Sequence, residues 1–561
     1  MSESQKTAEA SLETLHRIFT VPEAPDSTLA RLEAGISANL HGFLREHIVA
    51  TRRSMSDIEN DFTDTHIPED PVFVSEHAEF LMRKVVAESV HTASPTFVGH
   101  MTSALPYFML PLAKMMIALN QNTVKTETSK AFTPLERQVL GILHRLVFGN
   151  DDAFYARHVQ DSRHALGAFC SGGTVANLTA LWVARNNALP PDGNFEGVSR
   201  EGLHRALAHH GYSDAAIVVS RLGHYSIGKA ADLLGLGVKS VHAVEVDARN
   251  HVDLAAMERT CRQLRARGVK IIALVGLAGT TETGSVDALA PLAELAAGIG
   301  TYFHVDAAWG GPTLFSSRWR HLLAGIERAD SVTLDAHKQL YVPMGAGMTL
   351  FRDPGAARVI EHHARYVIRE GSRDLGSKTL EGSRPGMAML VHSGLAILGR
   401  RGYELLIDNG IDNAQRFAAM VRAAADFQLT SEPELNILTY RYVPQPLQQA
   451  LASADAQTAA GINEELNAVT RDIQRLQRAA GKSFVSRTTL HAPQHQGQAI
   501  DVFRVVLANP LTDLAILAQI LDEQRALASG EAVAARLAAC LATFGLPATR
   551  PLQSRAFPAS G

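Results

Sequence analysis

Cysteine is scarce here: Cys170, Cys261 and Cys540 are the only three in 561 residues. They are too few and too far apart for a disulfide framework and point to a reducing compartment. Excess charge of one sign is also missing. Lys plus Arg number 53 against 57 Asp plus Glu, a net charge of −4, so nothing in the charge balance would draw a nucleic-acid partner. Long hydrophobic runs are absent. The most apolar window, ALPYFMLPLAKMMIAL (104–119), contains Pro106, Pro111 and Lys114 and falls short of the roughly 20 residues a membrane span requires. A buried helix is expected there. The opening MSESQKTAEASLETLHRIF has no basic stretch followed by an apolar one, so no secretory signal is expected and the chain is placed in the cytoplasm, away from membranes. The 24 histidines form no H-E-x-x-H spacing, which argues against zinc hydrolysis, and no metal is expected. No base is placed to activate Cys170 or Ser171, which sets aside a hydrolase of that kind.

What remains is ample hydrophobic material, 46% of the chain, arranged with two different rhythms. Residues 1–20 read as a polar, partly helical lead-in and 28–90 as helices with loops. From about residue 133, short apolar runs alternate with amphipathic stretches. The runs are AIVVS (216–220), SVHAVEV (240–246), KIIALVGLA (270–278), TYFHVDA (301–307), SVTLDA (331–336) and GMTLFR (347–352). Continuous apolar strands separated by helices predict βαβ units and a mostly parallel sheet covered on both faces. Beyond about 385 the pattern becomes a smaller α+β domain. Its expected strands are LNILTYRYV (435–443), SFVSRTTLH (483–491) and QAIDVFRVVLA (498–508), with a helix over 462–480 and a surface loop over 444–460. The expected division is 1–100, an N-terminal helical segment; 101–385, the large α/β domain; 386–545, the small domain; and 546–561, a tail.

The chemistry gathers at strand ends. SVTLDA breaks into His337-Lys338 and then a turn holding Gly345 and Gly347. An unpaired lysine is costly to bury, so one that ends a core strand is there for a purpose. Asp306 ends another such strand in HVDAAWGG (304–311), and His224 follows a third in SRLGHYSIGKAADLLGLG. Thr280 and Thr281 follow a fourth in GLAGTTETGSVD, and FCSGGTVANL (169–178) puts a Gly-Gly turn before a helix. In open parallel sheets, ligands sit outside the carboxyl ends of the strands. Pyridoxal phosphate uses such a set: a lysine to hold it, a carboxylate for its ring nitrogen, a phosphate cradle and a flat group against the ring. Lys338, Asp306, the Gly172-Gly173-Thr174 turn and His224 match those needs in turn.

SGGTVANL, GHYSIGKAADLLG, HVDAAWGG and DSVTLDAHKQLYVPMGAG together resemble the group II pyridoxal-phosphate-dependent amino-acid decarboxylases. FVGHMTSALPYFMLPLAKMMIALNQNTVKTETSKAFTPLE resembles the bacterial aspartate 1-decarboxylase subgroup, close to the glutamate decarboxylases. The resemblance implies the aspartate-aminotransferase-like fold (fold type I) and a homodimer with sites at the subunit boundary. It implies that Lys338 carries the cofactor, Asp306 faces the ring nitrogen and His224 stacks on the ring. Gly172, Gly173, Thr174 and His337 would meet the phosphate end and Thr281 (or Thr280) the ring's edge, with Ala308 also among the cofactor-binding residues. Arg504, in VFRVVLANP, would bind a substrate carboxylate, and Tyr366, in the lid-like ARYVIREGSRDLGSKTLEGSR (364–384), would return a proton. Asp335 departs from the family, several of whose members have asparagine there. The activity implied is α-decarboxylation of an acidic amino acid: aspartate to β-alanine for pantothenate synthesis, with glutamate and cysteine sulfinate as rivals. Lys125 and Lys130 are candidates for the second carboxylate. Another pyridoxal reaction, or a non-catalytic cofactor-binding relative, is the reading from a different class.

Overall fold

A computed structural model of the chain describes residues 33–38, 42, 49–364, 369, 371–491 and 497–547. The lead-in over 1–20, Tyr366 and nearly all of the tail lie outside them.

The larger sheet has seven strands: β1 (Gly167–Cys170), β2 (Asp214–Ser220), β3 (Val241–Val244), β4 (Val269–Leu277), β5 (Tyr302–Asp306), β6 (Ser331–Asp335) and β7 (Gly347–Phe351), in the order β1-β7-β6-β5-β4-β2-β3. Strands β2 to β6 pair in parallel, whereas β7 runs antiparallel to both β6 and β1. The link from β6 to β7 carries no crossover helix, and only an antiparallel return suits so short a link. Lys338 sits in that link.

The apolar runs are continuous because both faces are covered. Helices α1 (Gly173–Ala188) and α2 (Ser226–Leu233) pack on one face, where Ile217, Val219, Ile272 and Val275 meet Leu181, Ala184 and Ile227. The alternate residues Ala216, Val218, Ile271 and Leu274 meet Met257, Cys261 and Leu292 of α3 (Leu254–Ala266) and α4 (Leu289–Ile299) on the other. Each buried Ile or Leu contributes about 1.5–3 kcal/mol.

A helical stretch, α5 (Ala388–Ala423), broken at Gly399 (φ 63°), leads to the small domain. There β8 (Phe427–Ser431), β9 (Ile437–Tyr442), β10 (Ser486–Leu490) and β11 (Ile500–Val506) form an antiparallel sheet in the order β10-β11-β9-β8.

Two strands and one helix were not expected. β1 (GAFC) opens with Gly and Ala, poor strand formers, and β8 (FQLTS) buries the polar Thr430 and Ser431, so neither shows the apolar run of the other strands. Residues 444–460, expected as a loop, instead hold α6 (Gln445–Ser453) and the first turn of α7 (Ala456–Ala480). The sequence hides α6 because Leu447 is its one fully buried residue, and its prolines sit at the helix start, where no N–H is needed. α7 and α8 (Leu514–Ala528) supply Ile462, Leu466, Val469 and Leu517 to the small domain's own core. Among the described residues no single helix is long and apolar enough to cross a membrane.

Candidate active site

The carboxyl ends of β2, β4, β5 and β6 open on one cavity of about 390 Å³. Lys338, Asp306, His224 and Thr281 line it. So do the Gly172-Gly173-Thr174 turn, Ala308 and His337. Residues spread over 167 positions of sequence are brought together because each strand of a parallel sheet ends on the same side.

Lys338 Nζ pairs with Asp335 Oδ2 at 2.9 Å, and Oδ1 of the same buried carboxylate has no hydrogen-bond partner. The glycines around it are needed for space. A Cβ on Gly173 would stand 2.7 Å from Asp335 Oδ2, and one on Gly347 2.5 Å from Oδ1. Gly345 answers a different need, a left-handed φ of +100° that other residues rarely adopt. His337 donates Nδ1–H to the Ala346 carbonyl at 2.9 Å, and burial pushes its pKa down.

Asp306 is clamped. Asn177 Nδ2 donates to its Oδ2 at 2.8 Å and the Ala308 N–H to its Oδ1 at 3.1 Å. Asn177 in turn accepts at Oδ1 from His304 Nε2 (3.0 Å), whose Nδ1 meets Ser331 Oγ (2.8 Å). Burial pushes the His304 imidazole down to about 4, against a smaller opposing pull from Asp306, so the ring is neutral and donates through Nε2. Asn177 also donates to Ser226 Oγ (2.9 Å), leaving that hydroxyl to donate to His224 Nδ1 (2.9 Å). His224 is likewise pushed down by burial, with Asp306 opposing, and stays neutral. One amide therefore orients both the carboxylate and the histidine ring.

Asn177 and His304 were not singled out in the sequence. Their signals were present: asparagine is unfavourable inside a helix without a reason, and His304 opens HVDAAWGG itself. His100 was also passed over; after burial, the positive charges of Arg504 and Lys338 push it down, which puts it near both.

Arg504 is not in the lining of the cavity. Its Nε donates to the carbonyl of Thr281 (2.5 Å) and Nη1 to that of Gly99 (3.3 Å), while Nη2 is buried with no hydrogen-bond partner. Burial pushes its guanidinium down to about 10, partly offset by Glu282. Lys125 pairs with Glu127, and neither Lys125 nor Lys130 lines the cavity. Glu381 accepts from the Ser171 N–H at 2.9 Å, placing a carboxylate beside the glycine turn.

Residues 60–443 match the model of the pyridoxal-dependent decarboxylase conserved domain. The chain belongs to the pyridoxal-dependent decarboxylase family. It is 57% identical to an aspartate 1-decarboxylase of Aliivibrio fischeri, over 95% of this chain and 97% of that one. To a cysteine sulfinic acid decarboxylase of Mus musculus it is 29% identical, over 76% and 81% of the two chains. The crystal structure of mouse CSAD in apo form superposes with a TM-score of 0.76 at 25% identity, covering 89% of this chain and 98% of that one.

The decarboxylase is thus a pyridoxal-phosphate enzyme, and the cavity fits that cofactor. A clamped carboxylate and a lysine amine face it together. The turn at Gly172 carries no side chain, and a Cβ there would come within 3.2 Å of His337 Cε1. It opens helix α1, whose first-turn N–H groups have no intrahelical acceptor and suit a phosphate.

Proposed function

We propose that this decarboxylase removes the α-carboxylate of an acidic L-amino acid, aspartate first, giving β-alanine and carbon dioxide. The observation that carries the substrate is the 57% identity, over nearly the full length of both chains, to an aspartate 1-decarboxylase. In this reading Lys338 would hold the cofactor, Gly172, Gly173, Thr174 and His337 would take its phosphate end, and Thr281, Ala308 and His224 would hold its ring.

When bound, pyridoxal phosphate supplies a sink for the electron pair left on Cα as the carboxylate departs. Asp306 would hold the ring nitrogen, and its clamp by Asn177 and the Ala308 N–H leaves little reorganisation to be made as charge moves. Neutral His224 packs without adding a competing cation. Arg504 offers its unpartnered Nη2 to a substrate carboxylate, with Nε and Nη1 tied back to the loops at Thr281 and Gly99. Protonation of Cα then comes from Lys338 Nζ or from Tyr366. The enzyme works as a homodimer in the cytoplasm, without nucleic-acid or membrane partners.

The test is carbon dioxide release by the cofactor-loaded protein from aspartate, glutamate, cysteine sulfinate and aromatic amino acids. One methylene separates aspartate from glutamate and is worth only ~1–3 kcal/mol, so aspartate should lead with some release from glutamate. Lys338→Ala should abolish release. Silence on every substrate with cofactor visibly bound would favour the non-catalytic relative, and a lead by cysteine sulfinate would replace the substrate named here.

A further inference from the structure

The small sheet carries a second buried arginine. Arg441, on β9, is 1% exposed. Its Nε donates to Gln428 Oε1 (2.8 Å) and its Nη1 to Asn463 Oδ1 (2.7 Å), and Nη2 donates to no described atom. Amide oxygens satisfy hydrogen bonds but do not balance a charge, and Arg441 makes no ion pair among the described residues. A buried guanidinium without a counter-charge is expensive. Burial alone accounts for its acidity, which is pushed to about 10, still a full cation at neutral pH.

This arginine faces a cleft of about 740 Å³, within the range of ligand sites and larger than the active-site cavity. The floor is β8 and β9, one wall is α6 and α7, and the other is the large domain's loop at Ala248–Asn250. Two carboxylates line it, and both are already engaged. Glu434 holds His251 and Arg249 through Oε1 and accepts the Val286 N–H at Oε2, while Glu432 pairs with Arg422. The uncompensated charge in the cleft is therefore Arg441's.

We infer that this cleft is a second ligand site, separate from the active site, which takes a small organic or inorganic anion through its carboxylate or phosphate group, with Arg441 as the anchoring cation. The planar fork suits both groups, and two of its nitrogens are already held in place. Register supports a link to the reaction centre. Thr439 pairs with Arg504 across β9 and β11, and Arg441 lies two residues on, on the same side of the pleat.

The test is titration calorimetry of the cofactor-loaded enzyme with inorganic phosphate and, separately, with succinate. At least one should bind, and which one does identifies the group recognised. Arg441→Met should weaken that binding at least about tenfold. Ala452→Trp, at an exposed position in the cleft wall, should do the same by filling the space, and it leaves every buried group untouched should the arginine variant fail to fold. Arg504→Gln should leave the binding in place, which separates it from succinate occupying the active site. Absence of heat with both anions, heat unchanged by Ala452→Trp, or heat lost in Arg504→Gln would each overturn the inference.

Discussion

Arg504 and Arg441 sit on neighbouring strands of one small sheet, both almost sealed from water and both pushed down by burial to about 10. Their surroundings differ in what the large domain does opposite them. At Arg504 the loop after β4 closes in: the Thr281 carbonyl takes one of its nitrogens while that of Gly99, from upstream of the sheet, takes another, and Ile437 stands 2.8 Å from where a Cβ on Gly284 would be. At Arg441 the loop around Asn250 stands back and leaves the cleft. The same kind of charge is tied to backbone carbonyls at one end of the domain boundary and bordered by a cleft at the other. Chemistry that must exclude water needs the first arrangement, and reversible binding suits the second.

The largest effect expected is at the closed end. Arg504→Gln should lower kcat/KM about 10²–10³-fold, on the scale of an anchoring charge removed from a buried site. The cofactor's absorbance should remain, since Arg504 does not line its cavity. Steady-state kinetics with a spectrum of the same sample checks both; loss of the cofactor along with activity would mean the arginine holds the site together instead of gripping substrate.

Acid separates the two ends next. His304, in the active-site network, and His144, between Tyr155 and the Phe351 carbonyl, are both pushed down by burial to about 4. Between pH 6.5 and about 4 the unfolded chain takes up protons that the folded chain refuses. Their stabilising contribution is therefore present above pH 6.5 and is lost as the pH falls toward 4. Each is worth on the order of 3 kcal/mol, so the urea midpoint should drop steeply between pH 7 and pH 5. The far cleft has no histidine in its lining, and the Arg441 charge is unaffected over that range. A flat midpoint would show that these rings are charged or exposed.

A smaller effect tests how closely the active end is packed. Gly284 has φ +69° as well as the Ile437 contact, so Gly284→Ala should cost ~1–3 kcal/mol by strain and overpacking together. Gly268, on the surface with φ +74° and no neighbour closer than 3.6 Å to a built Cβ, should cost only the backbone share. Equal losses in urea unfolding would mean that the loop yields.

How far the sequence disclosed this site depended on where each residue stands along its strand. Lys338, Asp306, His224 and the glycine turn were legible because strand ends in a parallel sheet are a shared location, and a polar residue there interrupts an apolar run. Asn177 was not, since one turn inside an amphipathic helix an asparagine looks like any polar position until the fold brings Asp306 and Ser226 against it. β1 and β8 were hidden by their composition, α6 by having little to bury. Arg441 was invisible for a further reason. In the sequence it reads as one polar residue of an alternating strand, ILTYRY, and nothing local says that helix α7 and the large domain will cover it. Spacing reports a residue's own element well, and its neighbours from other elements hardly at all.

The smallest change bears on a departure from the family's pattern. Asp335 is buried, pairs with Lys338 at 2.9 Å, and leaves Oδ1 without a partner between Gly173 and Gly347. With the cofactor held as proposed, that carboxylate would act against it twice: it would stabilise the free Lys338 amine, and it would bring negative charge near the phosphate. Asp335→Asn removes the charge with little change of shape, so both contributions favour the bound form. Cofactor affinity should rise, by about tenfold if the gain matches one partly buried ion pair of ~1.4 kcal/mol, with a slower loss of cofactor on dialysis. Weaker binding in Asp335→Asn would show instead that the carboxylate positions Lys338 for attachment, making it a working part of the site.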